Sequence, residues 1–222
     1  MIAEALPNAT LGHVAMHYRE PEHGPMAARL FDLLGFTRRE EIALPDGTVF
    51  YHLLVDGAAT NNGDGIIYLS PLRRAHRWLY DVIRERLAVG GPDEHPAVAK
   101  VRKSEQIDPE TGFHVGFLIP TLERLEKAFL RVRNAASADP DFGRHIEIVL
   151  NRAKPGDAIM DARLDASPLY AGVSRTTYGR NGVQAFVRTD LLCSGPLGED
   201  CVIEFDFVFP GYSENMLTKT EL

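Results

Sequence analysis

Gly12-His13-Val14-Ala15-Met16 and Phe113-His114-Val115-Gly116-Phe117 are two copies of one short pattern, and this pair decides the fold. In each copy a histidine lies second in a short apolar segment that is typical of a β-strand. A segment with helical apolar spacing follows each copy, and three further strand-like segments follow that helix. Because the two copies are roughly a hundred residues apart, the sequence predicts a repeated β-α-β-β-β unit and an α+β fold.

The repeat divides the chain into two modules with added segments. We predict a first module at residues 10–71 and a second at residues 112–210. Residues 72–111 are expected to form one amphipathic helix and then a polar linker, because a Gly-Gly-Pro break follows the helical pattern. The second module carries an insertion at 151–182 with no strong period, and a loop that long is typical of a lid or binding loop. Residues 211–222 are expected to form a C-terminal tail.

Alternation along the strands places three metal-binding side chains on one side of the predicted sheet. Successive residues of a strand face opposite sides, and the bulky apolar residues mark the side that a helix covers. His13, His114 and Glu204 therefore lie on the other side, with the small residues Ala15 and Gly116 beside the two histidines. This set matches a 2-His-1-carboxylate site, which leaves positions open on a divalent metal, commonly Fe(II). Mn, Zn, Ni and Co are alternatives because imidazole binds several of these metals.

Two further motifs in the second module carry a resemblance to a known family. They are Phe-Val-Arg-Thr-Asp at residues 186–190 and Cys-Val-Ile-Glu-Phe at residues 201–205. With the paired modules and their histidines, they resemble the vicinal oxygen chelate superfamily, which includes glyoxalase I, extradiol ring-cleaving dioxygenases, fosfomycin-resistance enzymes, acyl-CoA epimerases and bleomycin-binding proteins. The resemblance covers most of residues 10–210. It implies a curved mixed sheet around a central cavity with the helices outside, and metal ligands at the same three residues.

The sequence departs from that family in two places. A longer loop at residues 191–200 replaces the tight Asp-Pro-Asp-Gly turn that usually precedes the last strand. Tyr68 aligns with Glu204, whereas family members with four ligands carry Glu or Gln there. Three ligands leave more than one open position, which suits a substrate bound through two adjacent oxygens with O₂ beside it. The extradiol dioxygenases resemble this arrangement, as do the fosfomycin enzymes, whose chains are much shorter and complete their sites across a dimer.

We therefore predict a metal-dependent enzyme, foremost an extradiol-type dioxygenase that cleaves a catechol-like aromatic. Further catalytic residues are expected among three side chains that can move a proton, which are His17, Tyr68 and Tyr178. Substrate contacts are expected from His52, Leu118, Phe186 and Arg188, with the insertion covering the pocket. His52 and Tyr178 are also compatible with ordinary structural roles, and Arg188 with pairing to Asp206. Two alternatives remain open: a glyoxalase-type lyase or isomerase with a divalent metal, and a metal-free protein that binds a small molecule such as a drug.

The composition limits the partners. Lys and Arg total 24 against 31 Asp and Glu, which gives a formal net charge of −7 and no basic run that would bind nucleic acid. No apolar stretch reaches the roughly 18 residues of a membrane span, and the N-terminus lacks the pattern of a secretory signal. The two cysteines are too few for a disulfide framework. We expect a cytoplasmic protein whose partner is a small, aromatic substrate, and a homodimer is compatible with the sequence.

Overall fold

The computed structural model describes residues 11–58, 63–177, 179, 181–197 and 200–211. Within these residues the chain forms an α+β fold of eight strands and six α-helices. In chain order the elements are β1 (His13–Tyr18), α1 (His23–Leu34), β2 (Thr37–Ala43), β3 (Val49–Leu54), β4 (Ile66–Pro71), α2 (Arg74–Arg86), α3 (Pro96–Ile107), a 3-10 turn (Pro109–Thr111), β5 (His114–Leu118), α4 (Leu122–Ala138), α5 (Pro140–Gly143), β6 (Glu147–Asn151), α6 (Ala158–Asp165), β7 (Gly182–Thr189) and β8 (Cys201–Val208).

The strands form two four-stranded mixed sheets with the same internal order. That order is β1-β4-β3-β2 in the first sheet and β5-β8-β7-β6 in the second. In each sheet the first and last strands of the module are parallel, and the other neighbours are antiparallel. The register pairs Ala15 with Tyr68 in the first sheet and Gly116 with Glu204 in the second. The predicted fold of two β-α-β-β-β modules is therefore confirmed.

One hydrophobic core joins the two modules. Helices α1 and α4 are in contact, and buried side chains of both modules belong to the same cluster. Phe36 of the first module packs edge to face against Phe117 and Phe205 of the second, with ring centroids 4.9 and 5.9 Å apart. Aromatic pairs in this geometry stabilise a protein beyond the area that they bury. The two modules are thus packed into a single unit.

The end residues of α1 and α4 explain where these two helices stop and start. Helix α1 ends at Gly35, whose φ is 105° and whose backbone N–H donates to the carbonyls of Phe31 and Asp32. Glycine adopts this left-handed conformation without the steric cost of a Cβ, so it ends the helix. At the start of α4 the side chain of Thr121 accepts a hydrogen bond from the backbone N–H of Arg124 at 3.3 Å. This contact satisfies one donor that a helix start otherwise leaves free.

Two segments that the sequence analysis treated as irregular contain helices. Residues 96–107, expected to be linker, form α3, in which Val98 is the buried residue. The insertion at 151–182 contains α6, in which Met160 and Leu164 are buried. A helix that buries so few apolar side chains leaves a weak period in the sequence. The weak period is therefore the reason that the sequence predicts irregular structure in two segments that contain helices.

Helix α2 is the amphipathic helix that the sequence predicts after the first module, but its apolar side chains lie at the surface. None of its residues is buried, and Trp78 is 72% exposed. Within the described ranges, no helix combines the length and the apolar character that crossing a membrane would require.

Candidate functional site

One face of the second sheet carries polar side chains in register on neighbouring strands. On β8, Glu204 lies between Gly116 of β5 and Phe186 of β7. One step along, Asp206 pairs with Gln184 of β7. Because directly paired residues point to the same side of a sheet, these side chains share one face. We call the face that carries His114, Gln184, Glu204 and Asp206 the polar face.

His114 presents its Nε2 atom to Glu204. Its Nδ1 lies 3.1 Å from the backbone carbonyl of Gly112, and because a carbonyl only accepts, Nδ1 carries the proton. Nε2, the other ring nitrogen, faces Oε2 of Glu204, 3.6 Å away. That distance is too long for a hydrogen bond, and it suits two ligands of one cation, whose bonds to such atoms are about 2.0–2.2 Å. A backbone carbonyl on the second ring nitrogen is a usual orienting contact of a metal-binding histidine.

A chain of hydrogen-bonded amides holds the Glu204 carboxyl in place. Nε2 of Gln184 donates to Oε1 of Glu204 at 2.7 Å and also to Glu110. Oε1 of Gln184 accepts from Nδ2 of Asn151 at 3.0 Å. Oδ1 of Asn151 in turn accepts from Nε of Arg175 at 3.0 Å. Because each amide is bonded at both ends, the network fixes the orientation of the carboxyl.

Glu204 and Asp206 are two buried carboxyl groups side by side. Their exposed fractions are 4% and 3%. Burial, and then the charge of Asp206, raise the pKa of Glu204 to about 9, and burial raises the pKa of Asp206 to about 6. Oδ1 of Asp206 is buried and has no hydrogen-bond partner in the described part of the chain. The pair therefore favours a shared proton or a nearby cation, since either one removes the repulsion between two buried charges.

Gly116 leaves room for these two carboxyl groups. A Cβ at this position would lie 3.6 Å from Oε2 of Glu204 and 3.9 Å from Oδ2 of Asp206. Both are ordinary contact distances, so an alanine would fit there, whereas a longer side chain would enter the space of the carboxyl groups. The glycine thus keeps the front of Glu204 open.

The equivalent face of the first sheet carries aromatic rings in place of carboxyl groups. Tyr68 occupies the position equivalent to Glu204, and its ring lies 4.9 Å from the ring of His13. The rings of Phe50 and His52 lie 5.5 and 5.4 Å from the same tyrosine. Such a surface favours planar apolar ligands, because rings pack on one another with offset or edge-on geometry. We call these four residues the aromatic group.

His17 lies further along β1 than His13 and is held by a hydrogen bond. Its Nδ1 is 3.0 Å from Oγ of Ser70. Burial lowers the pKa of His17 below its ordinary value. The imidazole is therefore neutral at physiological pH and is able to accept a proton.

The three expected metal ligands are not gathered into one cluster. Among the residues that the structure describes, no group of three or more His, Cys, Asp or Glu side chains is arranged to hold a metal ion. His114 and Glu204 are adjacent, whereas His13 packs against Tyr68 in the other sheet. The structure thus supplies two neighbouring donors on the polar face and a third residue in the first module.

Arg188 is engaged at the edge of the polar face. It forms ion pairs with Glu147 and Asp200, both at 3.2 Å, and not with Asp206 as the sequence had allowed. The reason is the register, which pairs Arg188 with Glu147 across β6 and β7 and so brings the opposite charges together.

The remaining expected site residues have different surroundings. Phe186 is fully buried, and Leu118 is 61% exposed. Tyr178 lies outside the described residues.

The helix of the insertion packs against α4, where Arg163 and Ser167 donate to Glu126 at 2.9 and 2.5 Å. That part of the insertion is therefore not a cover for the polar face.

Sequence reasoning did not find the residues that hold Glu204, which are Glu110, Asn151, Arg175 and Gln184. Gln184 had a usable signal, because it alternates with apolar residues in β7 and a buried amide needs partners. Glu110 and Arg175 lie outside the strands, so no period relates them to Glu204.

No protein family model matches this sequence, and no curated protein matches it. A solved structure that resembles the chain is a xylose isomerase-like TIM barrel/4-hydroxyphenylpyruvate dioxygenase fusion protein. The match has 13% sequence identity and a TM-score of 0.20, and it covers 92% of this chain. The chain spans 27% of the length of that protein. At this identity and TM-score, the likeness assigns neither activity nor substrate.

Proposed function

We propose that the chain is a divalent-metal enzyme of the vicinal oxygen chelate type, foremost an extradiol-type dioxygenase that cleaves a catechol-like aromatic. The observation that carries the proposal is the His114–Glu204 pair, in which an imidazole nitrogen and a carboxyl oxygen lie 3.6 Å apart. The unpartnered Oδ1 of Asp206 beside this pair supports it, because a cation would satisfy a buried oxygen that has no donor among the described residues.

The donor atoms are of the kind that a divalent metal binds, although His13 lies apart from the other two in this structure. The proposed ligands are His13, His114 and Glu204, which offer the nitrogen and oxygen atoms that Fe(II) and related metals accept. When bound, the metal would act as a Lewis acid that orients and polarises two adjacent oxygens of the substrate. His13 lies at the strand position of the first module that is equivalent to that of His114 in the second. Whether His13 binds the metal is tested directly by the metal content of the His13→Ala variant.

The surrounding residues have separate tasks in this proposal. Gln184 holds Oε1 of Glu204, so that Oε2 remains free toward His114. The neutral imidazole of His17 accepts the proton of a substrate hydroxyl. The aromatic group offers a surface for the substrate ring. A substrate contact of Leu118 and a catalytic role of Tyr178 remain part of the proposal. Phe186 is fully buried and Arg188 is ion-paired, so a substrate contact from either one requires these side chains to move.

Metal retention is the first test. Protein purified without oxygen and supplied with Fe(II), Mn(II) or Zn(II) is expected to keep about one metal ion per chain after gel filtration, as measured by elemental analysis. His114→Ala and Glu204→Ala are expected to lose it, because each removes one of three ligands. His13→Ala is expected to behave in the same way.

His17→Ala is the matched control for these variants. It removes another histidine of β1 that is bonded to Ser70, so it is expected to retain the metal. If the unaltered protein keeps none of the three ions, the metal proposal fails. If His13→Ala keeps a full complement, that residue leaves the ligand set.

Oxygen uptake is the second test. The Fe(II)-loaded protein is expected to consume O₂ and to form a yellow, ring-opened product from members of a panel of catechols. His17→Ala is expected to slow turnover while keeping the metal, because it removes the proposed proton acceptor. Metal retention without O₂ uptake across a broad panel would replace the dioxygenase proposal with the glyoxalase-type lyase or isomerase.

A second candidate function is metal-free binding of a small aromatic molecule. The aromatic group in the first sheet favours it, as does the separation of His13 from the other two expected ligands. This function would be supported if protein without metal binds an aromatic ligand and Tyr68→Ala weakens the binding. It would be excluded if binding requires the metal.

A further inference from the structure

A cavity lies where the two modules meet, and none of the proposed metal ligands lines it. It has a volume of about 620 Å³ and is bounded by the end of α1, the turn after β3, strand β5 and helix α4. Pockets that bind small molecules commonly measure about 300–1,000 Å³. The cavity is therefore large enough for an organic ligand.

Three cationic side chains of α4 line this cavity. They are Arg124, Lys127 and Arg131, and their spacing of three and four residues puts them in one stripe along the helix. The opposite stripe of the same helix, which includes Leu125 and Phe129, is buried in the core. The helical period that buries one side of α4 in the core therefore places these three cations on the side that faces the cavity.

These three cations have no protein partner. With respect to every residue that the structure describes, their side chains make no hydrogen bond and no ion pair. Other arginines nearby are paired, as Arg29 is with Asp139 at 2.6 Å and Arg163 with Glu126 at 2.8 Å. In a chain of net charge −7, three clustered and unpaired cations are a local excess of positive charge.

Asp56 is the one carboxyl group among the described residues that line the cavity, and it offsets part of this positive charge without cancelling it. Oδ1 of Asp56 accepts a hydrogen bond from the backbone N–H of Ala58 at 2.9 Å, so Asp56 is directed to its own turn. The guanidinium of Arg131 lies close to Gly35 at the end of α1. A Cβ added at Gly35 would lie 3.1 Å from Nη2 of this arginine. The glycine thus allows the guanidinium to lie against the helix end.

Apolar side chains also line the cavity. Val55 and Leu118 are 38% and 61% exposed, whereas Phe36 and Phe205 are buried core residues at its wall. Cations beside exposed apolar surface offer one part of a ligand an ion pair and the other part a hydrophobic contact. The combination selects a ligand that is charged at one end and apolar along its body.

We infer that this cavity binds a small organic anion with an apolar body, held by Arg124, Lys127 and Arg131 at its charged end. The inference does not depend on the metal proposal, because the cavity contains none of the proposed ligands. It can therefore be tested on metal-free protein.

The probe is anilinonaphthalenesulfonate, an aromatic sulfonate that fluoresces when it is bound. Lys127→Gln/Arg131→Gln is expected to weaken its binding by about tenfold, because two charge-assisted contacts are lost. Binding to the unaltered protein is expected to weaken as salt is raised from about 0.05 to about 0.5 M. Neutral phenylnaphthylamine, which lacks the sulfonate, is expected to bind both proteins equally.

Two further variants separate this site from general charge effects. Arg133→Gln removes a cation of the same helix that lines a different hollow, and it is expected to leave the sulfonate affinity unchanged. Lys127→Arg/Arg131→Lys keeps both charges, so it is expected to bind the sulfonate more tightly than the glutamine variant does. The inference would be overturned if the glutamine variant and the unaltered protein bound the sulfonate with equal affinity. It would also be overturned if Arg133→Gln weakened sulfonate binding as much as the glutamine variant does.

Discussion

Glu204→Gln is expected to abolish metal retention and, in the metal-free protein, to raise the melting temperature at about pH 8. Glutamine keeps the size of the side chain, and its amide oxygen can accept the hydrogen bond that Gln184 donates at 2.7 Å. It removes the carboxyl oxygen that faces Nε2 of His114 at 3.6 Å, and a neutral amide is a weaker metal ligand than a carboxylate. Its NH₂ group can donate to Asp206 at every pH, whereas Glu204 can do so only after it has taken up a proton.

The stability effect follows from the proton that Glu204 holds in the folded protein. Burial, followed by the charge of Asp206, raises its pKa from the ordinary 4.5 to about 9. Because the folded pKa is the higher one, the stabilising contribution of this proton is complete below pH 4.5 and is lost as the pH rises toward 9. The melting temperature of the unaltered metal-free protein is therefore expected to fall from about pH 5 to about pH 8 relative to that of the glutamine variant.

The measurement is thermal unfolding by circular dichroism with a chelator present, on both proteins at each pH. Comparing them at the same pH cancels the titration of groups that do not interact with Glu204. Glu85→Gln is the control, since it changes an exposed glutamate of α2 and is expected to shift neither the melting temperature nor the metal content. Equal melting temperatures near pH 8 would contradict a buried, protonated Glu204. Metal retention by the variant would contradict the ligand role, and the two outcomes are independent.

The side of the sheet on which a residue lies could be predicted from the sequence, because it is a local property. His114, Gly116 and Glu204 share the polar face since each strand turns successive side chains to opposite sides. Ile203 and Phe205 flank Glu204 in sequence and are buried in the core, which leaves the carboxyl on the other side. A few residues of each strand contain this information, so no long-range contact is needed to obtain it.

Distances between elements could not be predicted in this way. His13 and His114 occupy equivalent positions of the repeat, yet one packs on Tyr68 and the other faces Glu204. How far apart the two faces lie depends on the packing of α1 against α4 in the shared core, and no short-range period encodes it. The same holds for the contact between Gln184 and Glu110, which are 74 residues apart in the chain.

The packing that sets those distances is tested by Phe205→Ala, which is expected to lower the free energy of unfolding by about 3–5 kcal/mol. Phe205 is 3% exposed, and its ring lies 5.9 Å from Phe36, 5.8 Å from Phe117 and 5.6 Å from Phe129. Alanine would leave a cavity at the point where the first module meets the second. For a chain of this size the melting temperature is expected to fall by about 10 °C.

Urea unfolding followed by near-ultraviolet circular dichroism, which reports aromatic packing, and by far-ultraviolet circular dichroism measures this effect and its cooperativity. Because Phe36 and Phe205 join the modules, both probes are expected to report one transition in the unaltered protein and in the variant. Phe113→Ala is the control: its ring is 54% exposed, so its loss is expected to cost less than about 1 kcal/mol. A similar small loss in Phe205→Ala would contradict the shared core. Two separate transitions in the unaltered protein would also contradict it, because modules that share one core are expected to unfold together.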